Sequence, residues 1–293
     1  MQDTTALEAS LSKKARRNHE HVQTAAMLIL FILLAILILI PIYALFVASW
    51  KPGDELLQYG LNLDPEFSKW GLSNYNLLFF GDHDYWLWFG NSMILTVITV
   101  VLTLLVSSFV AYGFAAYEFR GKRILFVIVL AILSVPFEVI MLPLYQQMSD
   151  WGLMDNYVAI VLPFLAHAST IFFFYQYLQG LPMSLIEAGR IDGATEYGIF
   201  FRLIMPIMRP AFAAMAILNG MNAWNNYMWP LLVIRSSEKY TLTMGLNTLI
   251  NPYGDNYSLL IVGAFFSIIP IFILFVAFQR YFIEGMTAGA VKG

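Results

Sequence analysis

The sequence predicts an all-α integral membrane protein with six transmembrane helices, and three observations support this. Hydrophobic residues make up 59% of the 293 residues and charged residues only 12%, about half the charged share of a soluble domain. Six runs carry few or no charges and approach or exceed the roughly 20 residues that cross a bilayer as a helix. Lysine and arginine are concentrated in alternate segments between these runs, as in polytopic membrane proteins.

The six runs follow a basic tail at residues 1–24. They comprise residues 25–48, 93–116, 124–145, 157–177, 211–234 and 259–278. The first run is longer than the roughly 7 to 15 apolar residues of a signal-peptide core, which predicts that it is retained as an anchor. Prolines inside five of the runs predict kinked helices, because neighbouring helices can satisfy the carbonyls that a proline leaves unpaired. The sequence indicates one membrane domain, residues 25–293.

The orientation follows from the basic residues, because segments that stay in the cytoplasm retain Lys and Arg. Twelve of the 16 lie in the N-terminal tail, the segment after the second run, the segment between the fourth and fifth runs, and the C-terminal end. The alternate segments hold the remaining four, and the first of these segments is acidic. This pattern predicts that both termini are cytoplasmic.

The most informative stretch is residues 184–210, SLIEAGRIDGATEYGIFFRLIMPIMRP, which we call the coupling segment. Ser184 and Glu187 have the spacing of a capping box and predict that a helix begins at Ser184. Gly193 costs about 1 kcal/mol inside a helix and so predicts a break or a close contact. Small residues four positions apart, such as Gly189 and Gly193, predict a low face that another backbone could approach. The alternative is an ordinary amphipathic helix at the membrane surface.

The coupling segment resembles the motif of ABC importer permeases, in which Glu-Ala-Ala, three residues, Gly and nine residues precede Ile-x-Leu-Pro. Glu187, Ala188, Gly193 and Pro206 match this spacing, whereas Gly189, Leu203 and Met205 depart from it. The resemblance implies a type I (MetI-like) permease fold with a cytoplasmic coupling helix and a core at about residues 89–281. It also implies docking on an ATPase subunit, with contacts from these residues: Glu187, Ala188, Gly189, Arg190, Asp192, Gly193, Ala194 and Pro206.

The C-terminal tail, residues 279–293, is similar to that of the maltose-type, MalG-like carbohydrate permeases. The resemblance implies that Thr287, Ala288, Gly289 and Lys292 contact the ATPase dimer. The alternative is a frayed terminus. It further implies three partners, namely a second permease, a cytoplasmic ATPase dimer that uses ATP and Mg, and an extracytoplasmic solute-binding protein. The chain itself is expected to hold no cofactor and no metal, and to bind no nucleic acid.

Candidate pathway residues lie in the fifth run. Asn219, Asn222 and Asn226 fall on one helical face, with Asn225 and Tyr227 beside them. Amides and aromatic rings are the groups that bind sugars, so this face predicts a lining for a sugar pathway. The equal alternative is hydrogen bonding between helices. Glu138 is a further candidate because carboxyl groups inside membranes are functional by default.

The function predicted from these features is sugar or oligosaccharide import across the cytoplasmic membrane by alternating access, with a separate ATPase supplying the energy. Enzyme function is not expected, since the sequence has no phosphate-binding loop, no nucleophile elbow and no zinc-protease motif. A self-sufficient proton-coupled transporter or channel is the alternative, with Glu138 and His167 as its proton path. Neither interpretation identifies the sugar.

Overall fold

The computed structural model of the protein describes the backbone of residues 2–52, 63–250 and 257–290, and the side chains of residues 21–52, 63–250 and 257–281. Every regular element in these residues is helical. The helices of the first half are α1 (Gln2–Ser49), α2 (Ser73–Phe80), α3 (Tyr85–Ala116), α4 (Lys122–Leu133), α5 (Phe137–Asp150), α6 (Tyr157–Val161) and α7 (Ala168–Gln179). Those of the second half are α8 (Ser184–Ile191), α9 (Glu196–Ile199), α10 (Met205–Ile207), α11 (Arg209–Trp224), α12 (Met228–Val233), α13 (Leu242–Thr248) and α14 (Tyr257–Ala290).

Three helices in the described chain are long, apolar and straight enough to cross a membrane alone. They are His21–Ser49 within α1, Tyr85–Ala116, and Tyr257–Tyr281 within α14. Three further apolar helix pairs are bent by 106°, 40° and 78°. Counting each pair as one span gives six, the number predicted, although the third pair, Glu196–Ile207 with Arg209–Trp224, includes part of the coupling segment and ends before residue 234.

The sharpest bend, 106°, separates α4 from α5. Pro136 begins α5 as its N-cap, with φ −60° and ψ 140°. A proline ring disfavours the helical conformation of the residue before it, so the chain cannot pass from α4 into α5 as one helix. The third run, residues 124–145, therefore forms two helices joined at a sharp bend. The proline signal for a kink in this run is confirmed.

The fifth run, residues 211–234, is also broken, and it is one of the runs in which a proline predicts a kink. Helix α11 ends at Trp224, Asn225 is its C-cap, and α12 begins only at Met228. Pro230 has no N–H to donate to the carbonyl of Asn226, which removes the bond that would continue the helix. The hydroxyl of Thr243 donates to that carbonyl instead, at 3.1 Å.

Helix α3 occupies the centre of the fold, where it packs against α7, α11 and α13. Helix α14 packs against α11 on one side and against α1 on another. Among the α1 side chains that the structure describes, Ala44, Val47 and Ala48 near the end of the helix pack into the core, whereas residues 21–43 are exposed. The long α3 therefore connects the two ends of the molecule.

Candidate functional site

The coupling segment folds as two helices joined by a tight turn. Helix α8 runs from Ser184 to Ile191, and Asp192 is its C-cap. Gly193 follows with φ of 74°, the left-handed region that favours glycine. The predicted helix start at Ser184 and the predicted break at Gly193 are confirmed.

The capping box predicted from Ser184 and Glu187 is wrong. The N-cap of α8 is Met183, with helical backbone angles and no side-chain cap. The chain enters a helical turn directly after Pro182, so Ser184 is already helical and lacks the extended conformation that a capping residue needs. The cap that does form is Thr195, whose Oγ1 accepts a bond from the amide of Gly198 at 3.1 Å and begins α9.

Gly189 lies on the inner side of α8 rather than on the predicted contact face. It is buried, and a Cβ added there would lie 3.0 Å from carbons of Ile199 and Leu203. Glycine at this position, where the permease motif has alanine, lets α8 and the following helix pack closely. The prediction that Gly189 is offered to a partner is corrected: the residue is covered by its own chain.

The outer side of α8 and the turn is exposed. It carries Glu187, Ala188, Asp192, Gly193 and Ala194. Sequence reasoning missed Ile191, which is 86% exposed at the end of α8. The sequence could have identified Ile191, because an apolar residue between the charged Arg190 and Asp192 indicates an exposed apolar contact. The half-buried Pro206 lies farther along, in α10, before the chain turns by 78° into α11.

Arg190 points back into its own chain. Its Nε donates to Glu196 Oε1 at 2.6 Å, and its Nη2 donates to the carbonyl of Ala116 at 3.4 Å. Its Cζ lies 5.4 Å from the ring centroid of Tyr117. Arg190 is therefore engaged in an internal ion pair, and its contact with a partner stays a prediction. Sequence reasoning did not identify Glu196, because an ion pair six residues apart across a turn leaves no periodic signal.

A cavity of about 330 Å³ lies among the central helices. Its walls come from α3, from the two bent helix pairs around Phe137 and His167, and from α11 with the linker after it. The lining residues are Ser92, Leu95, Thr99, Thr103, Phe137, Ile160, Phe164, His167, Asn219, Asn222, Ala223, Asn226, Pro230 and Thr241. None of these side chains is acidic, lysine or arginine, so the described wall combines apolar side chains with uncharged polar groups and carries no fixed charge.

The three predicted asparagines line this cavity but have different roles. Asn219 donates to Thr170 Oγ1 at 3.0 Å and to the carbonyl of Met215 at 2.9 Å, and its own oxygen accepts from Thr170 at 3.3 Å. The two bonds with Thr170 join α11 to α7, as the interhelical alternative predicted. Asn222 is exposed and Asn226 half-buried along the same wall, which makes these two the pathway candidates.

The other predicted pathway residues lie outside the lining. Asn225 is the exposed C-cap of α11, and Tyr227 packs into an apolar cluster with Trp229 and Val233. Glu138 is exposed in the first turn of α5. His167, the N-cap of α7, lines the cavity, and its Nδ1 lies 2.8 Å from Ser169 Oγ in that helix.

Polar side chains hold the loops at the far end of α3. Asn91 donates to the carbonyls of Glu238 and Tyr240 at 2.9 and 3.0 Å, and Ser92 Oγ accepts from the amide of Leu242 at 2.7 Å.

Asp155 joins the same loop to the segment before α6. It accepts from the amides of Arg235 and Ser236, each at 3.0 Å, and Lys239 Nζ lies 3.0 Å from its other oxygen. The hydroxyl and amide of Ser236, with the Arg235 amide and Lys239, hold the pKa of the Asp155 carboxyl well below its usual range.

The predicted tail contact falls largely outside the described side chains. Helix α14 continues through Ala290, so the backbone at Thr287, Ala288 and Gly289 is helical. Their side chains, and the whole of Lys292, lie outside the described residues. The contact stays a prediction.

Residues 103–287 match the family described as "Binding-protein-dependent transport system inner membrane component". The arabinooligosaccharides transport system permease protein AraQ of Bacillus subtilis is 49% identical over 268 residues, which cover 92% of this chain and 95% of the relative. The lactose transport system permease protein LacG of Rhizobium radiobacter is 37% identical over 214 residues, covering 73% and 78%.

A solved structure has the same fold. A bacterial ABC transporter involved in the import of the acidic polysaccharide alginate contains a chain that superposes with a TM-score of 0.75 at 25% identity, covering 89% of this chain and 97% of the other. The permease-type fold expected from the coupling segment is therefore confirmed.

Proposed function

The chain belongs to the binding-protein-dependent transport system inner membrane components, and on that premise we propose that it is a permease subunit of an ABC importer for sugars or oligosaccharides. Relatives are named as permease proteins for arabinooligosaccharides and lactose. One observation carries the proposal: α11 forms a wall of the uncharged cavity and is joined directly to the coupling segment, whose outer side is exposed. A partner that moves the segment can therefore move the wall.

The partner at the coupling segment is a cytoplasmic ATPase dimer. The chain has no phosphate-binding loop, so ATP and Mg belong to that partner. Glu187, Ala188, Asp192, Gly193 and Ala194 form the docking surface, and Ile191 adds an apolar contact at its tip. Thr287, Ala288, Gly289 and Lys292 supply a second contact. The coupling end and both termini accordingly face the cytoplasm.

A second permease covers the exposed part of α1, and an extracytoplasmic solute-binding protein delivers the sugar at the opposite end. ATP binding draws the ATPase subunits together, displaces the coupling segments and rocks the spans against each other. The cavity then opens alternately toward the binding protein and toward the cytoplasm. This is alternating access driven from outside the chain.

The cavity wall suits an uncharged carbohydrate. The amides of Asn222 and Asn226 can exchange hydrogen bonds with hydroxyl groups, and the rings of Phe137 and Phe164, 5.5 Å apart, offer apolar faces to a sugar ring. A carboxylated sugar would meet no cationic side chain among the described lining residues and would lose hydration without compensation.

The test is transport by the complete complex in liposomes, with the solute-binding protein added. We expect uptake of a neutral oligosaccharide that requires ATP, and stimulation of ATP hydrolysis by the same sugar. Uptake that is driven by a proton gradient and needs no nucleotide would contradict the proposal. The proton-coupled alternative has no support from geometry, since Glu138 is exposed on α5 and does not line the cavity with His167.

A second measurement tests the pathway residues. Asn222→Ala should reduce the rate of sugar uptake, because it removes an amide from the cavity wall. Asn225→Ala, which changes the exposed C-cap beside it, is the matched control. Equal uptake by the two variants would remove Asn222 from the pathway.

A further inference from the structure

The ion pair of the coupling segment joins three separate parts of the chain. Arg190 belongs to α8 and Glu196 to α9, and the carboxylate of Glu196 uses both oxygens. Oε1 accepts from Arg190 Nε at 2.6 Å, and Oε2 accepts from the hydroxyl of Tyr112 at 3.0 Å. Tyr112 lies in the last two turns of α3 and is 4% exposed. The segment is thus tied to the central helix.

Two further contacts make the same connection. Arg190 Nη2 reaches the carbonyl of Ala116, the last residue of α3, at 3.4 Å. The ring of Tyr112 packs edge-on against Phe200, which follows α9, with centroids 5.3 Å apart. Together these groups attach both helices of the coupling segment to one end of α3.

Helix α3 leads from this attachment to the cavity and beyond. Its 32 residues make a rod about 48 Å long at 1.5 Å per residue. Leu95, Thr99 and Thr103 on this helix line the cavity, and Asn91 at its far end holds the loop at residues 238–240. A displacement of its coupling end would therefore change both the cavity and that loop.

The attachment is suited to positioning rather than to stability. Arg190 and Glu196 keep 38% and 37% of their side chains exposed, and ion pairs with that access to water add little to the stability of a fold. Its loss should leave the fold intact. Its value lies in geometry, since a planar guanidinium and a carboxylate with both oxygens engaged hold three elements in one arrangement.

We propose that Arg190 and Glu196 are positioning residues that lock the coupling segment to Tyr112 of α3, so that a displacement of α8 reaches the cavity through α3 as well as through α11. We call these three side chains the α3 latch. The inference rests on the proposed function, because it needs a partner that moves α8. The proposal gives Arg190 a different role from that of the exposed residues beside it, which contact the partner directly.

The test compares sugar transported per ATP hydrolysed in the complete complex in liposomes. Glu196→Gln keeps the size of the side chain and removes its charge, and we expect about a tenfold fall in this ratio with ATP hydrolysis retained. Tyr112→Phe removes one hydroxyl and should give a smaller fall. Glu118→Gln is the matched control, because Glu118 forms an exposed pair with Lys122 just beyond the same end of α3. It should behave as wild type.

A charge exchange separates the latch from a direct contact with the ATPase. Arg190→Glu combined with Glu196→Arg restores an internal pair, so it should transport several times better per ATP than either single variant. If Arg190 instead contacted the ATPase directly, the exchange would place the wrong charge at that contact, and transport per ATP would not recover. The proposal is overturned if the exchange gives no recovery, if Glu196→Gln keeps the wild-type ratio, or if it releases the ATPase during purification. If the wild-type complex transported sugar without ATP, that result would instead contradict the proposed function.

Discussion

The two ends of α3 are anchored by different kinds of bond. At the coupling end, bonds between side chains predominate: the Tyr112 hydroxyl donates to Glu196, which accepts from Arg190, and Arg190 makes one bond to the backbone, at Ala116. At the far end, Asn91 donates to two backbone carbonyls and Ser92 accepts from a backbone amide. Bonds to the backbone fix the path of a loop, whereas bonds between side chains join bodies that can shift together. Both ends pack into buried apolar clusters, and the difference indicates that the coupling end is in addition joined to its neighbours through side chains that can move with it.

The largest effect is expected from Gly245→Ala at the far end. A Cβ at Gly245 in α13 would overlap the indole ring of Trp88, which is 6% exposed in α3. A buried ring cannot move away cheaply, so the substitution should destabilise the protein by about 3 kcal/mol. The measurement is Tm of the purified complex.

Gly113→Ala is the control for that variant. Gly113 lies inside α3 with open space where its Cβ would be, so alanine should raise stability by up to about 1 kcal/mol. Equal Tm values for the two variants would contradict the packing of α13 on Trp88.

Asn91→Ala should have the next largest effect. It leaves the carbonyls of Glu238 and Tyr240 without the amide that satisfies them, a loss of about 2 kcal/mol. We expect a lower Tm and faster proteolysis within residues 236–241. If proteolysis there is unchanged, the loop is held by other contacts, and the far end is not a rigid part of the core.

Thr195→Ala tests the coupling end and should cost about 1 kcal/mol, because the Oγ1 cap of the four-residue α9 is lost. We expect Tm to change by no more than about 2 to 4 °C, while sugar transported per ATP falls because Glu196 shifts with α9. Thr195→Ser keeps the capping oxygen and should restore the ratio. If Tm fell strongly while sugar transported per ATP stayed normal, the coupling end would contribute to stability rather than to coupling, contrary to this comparison.

The smallest effect should appear as pH is lowered at the far end. The bonds to Asp155 keep its pKa in the folded protein below the unfolded value of about 3.9. Its contribution to stability is therefore complete above that value and is lost as pH falls through the folded pKa. Proteolysis within residues 236–241 should increase below about pH 4 in wild type, and Asp155→Asn should lack this increase. Identical acid profiles would show that Asp155 does not hold the loop.

The sequence was most reliable where one physical signal acted alone. Long apolar runs gave the spans, and Gly193 gave the turn in the coupling segment. The prediction went wrong where a neighbouring residue decided the outcome. The helical turn at Met183, directly after Pro182, made Ser184 the first residue of α8 rather than its cap.

Contacts distant in sequence were the other source of error. Nothing in the periodicity of α11 shows that Asn219 is bonded to Thr170 of α7 while Asn222 is not. The inward direction of Gly189 likewise depends on Ile199 and Leu203, which reach it only after the turn at Gly193. Such pairings follow from the packing of helices, and a single sequence does not contain them.

The break after α11 has a consequence for how the transporter could be adapted to new sugars. Asn226 lies in a cavity wall but outside any helix, and its carbonyl is satisfied by Thr243. Substitutions there change the chemistry of the wall without any cost in helix propensity. Asn226 is therefore a suitable position for directed evolution of substrate range, and Thr243 is the residue to keep fixed in such a library.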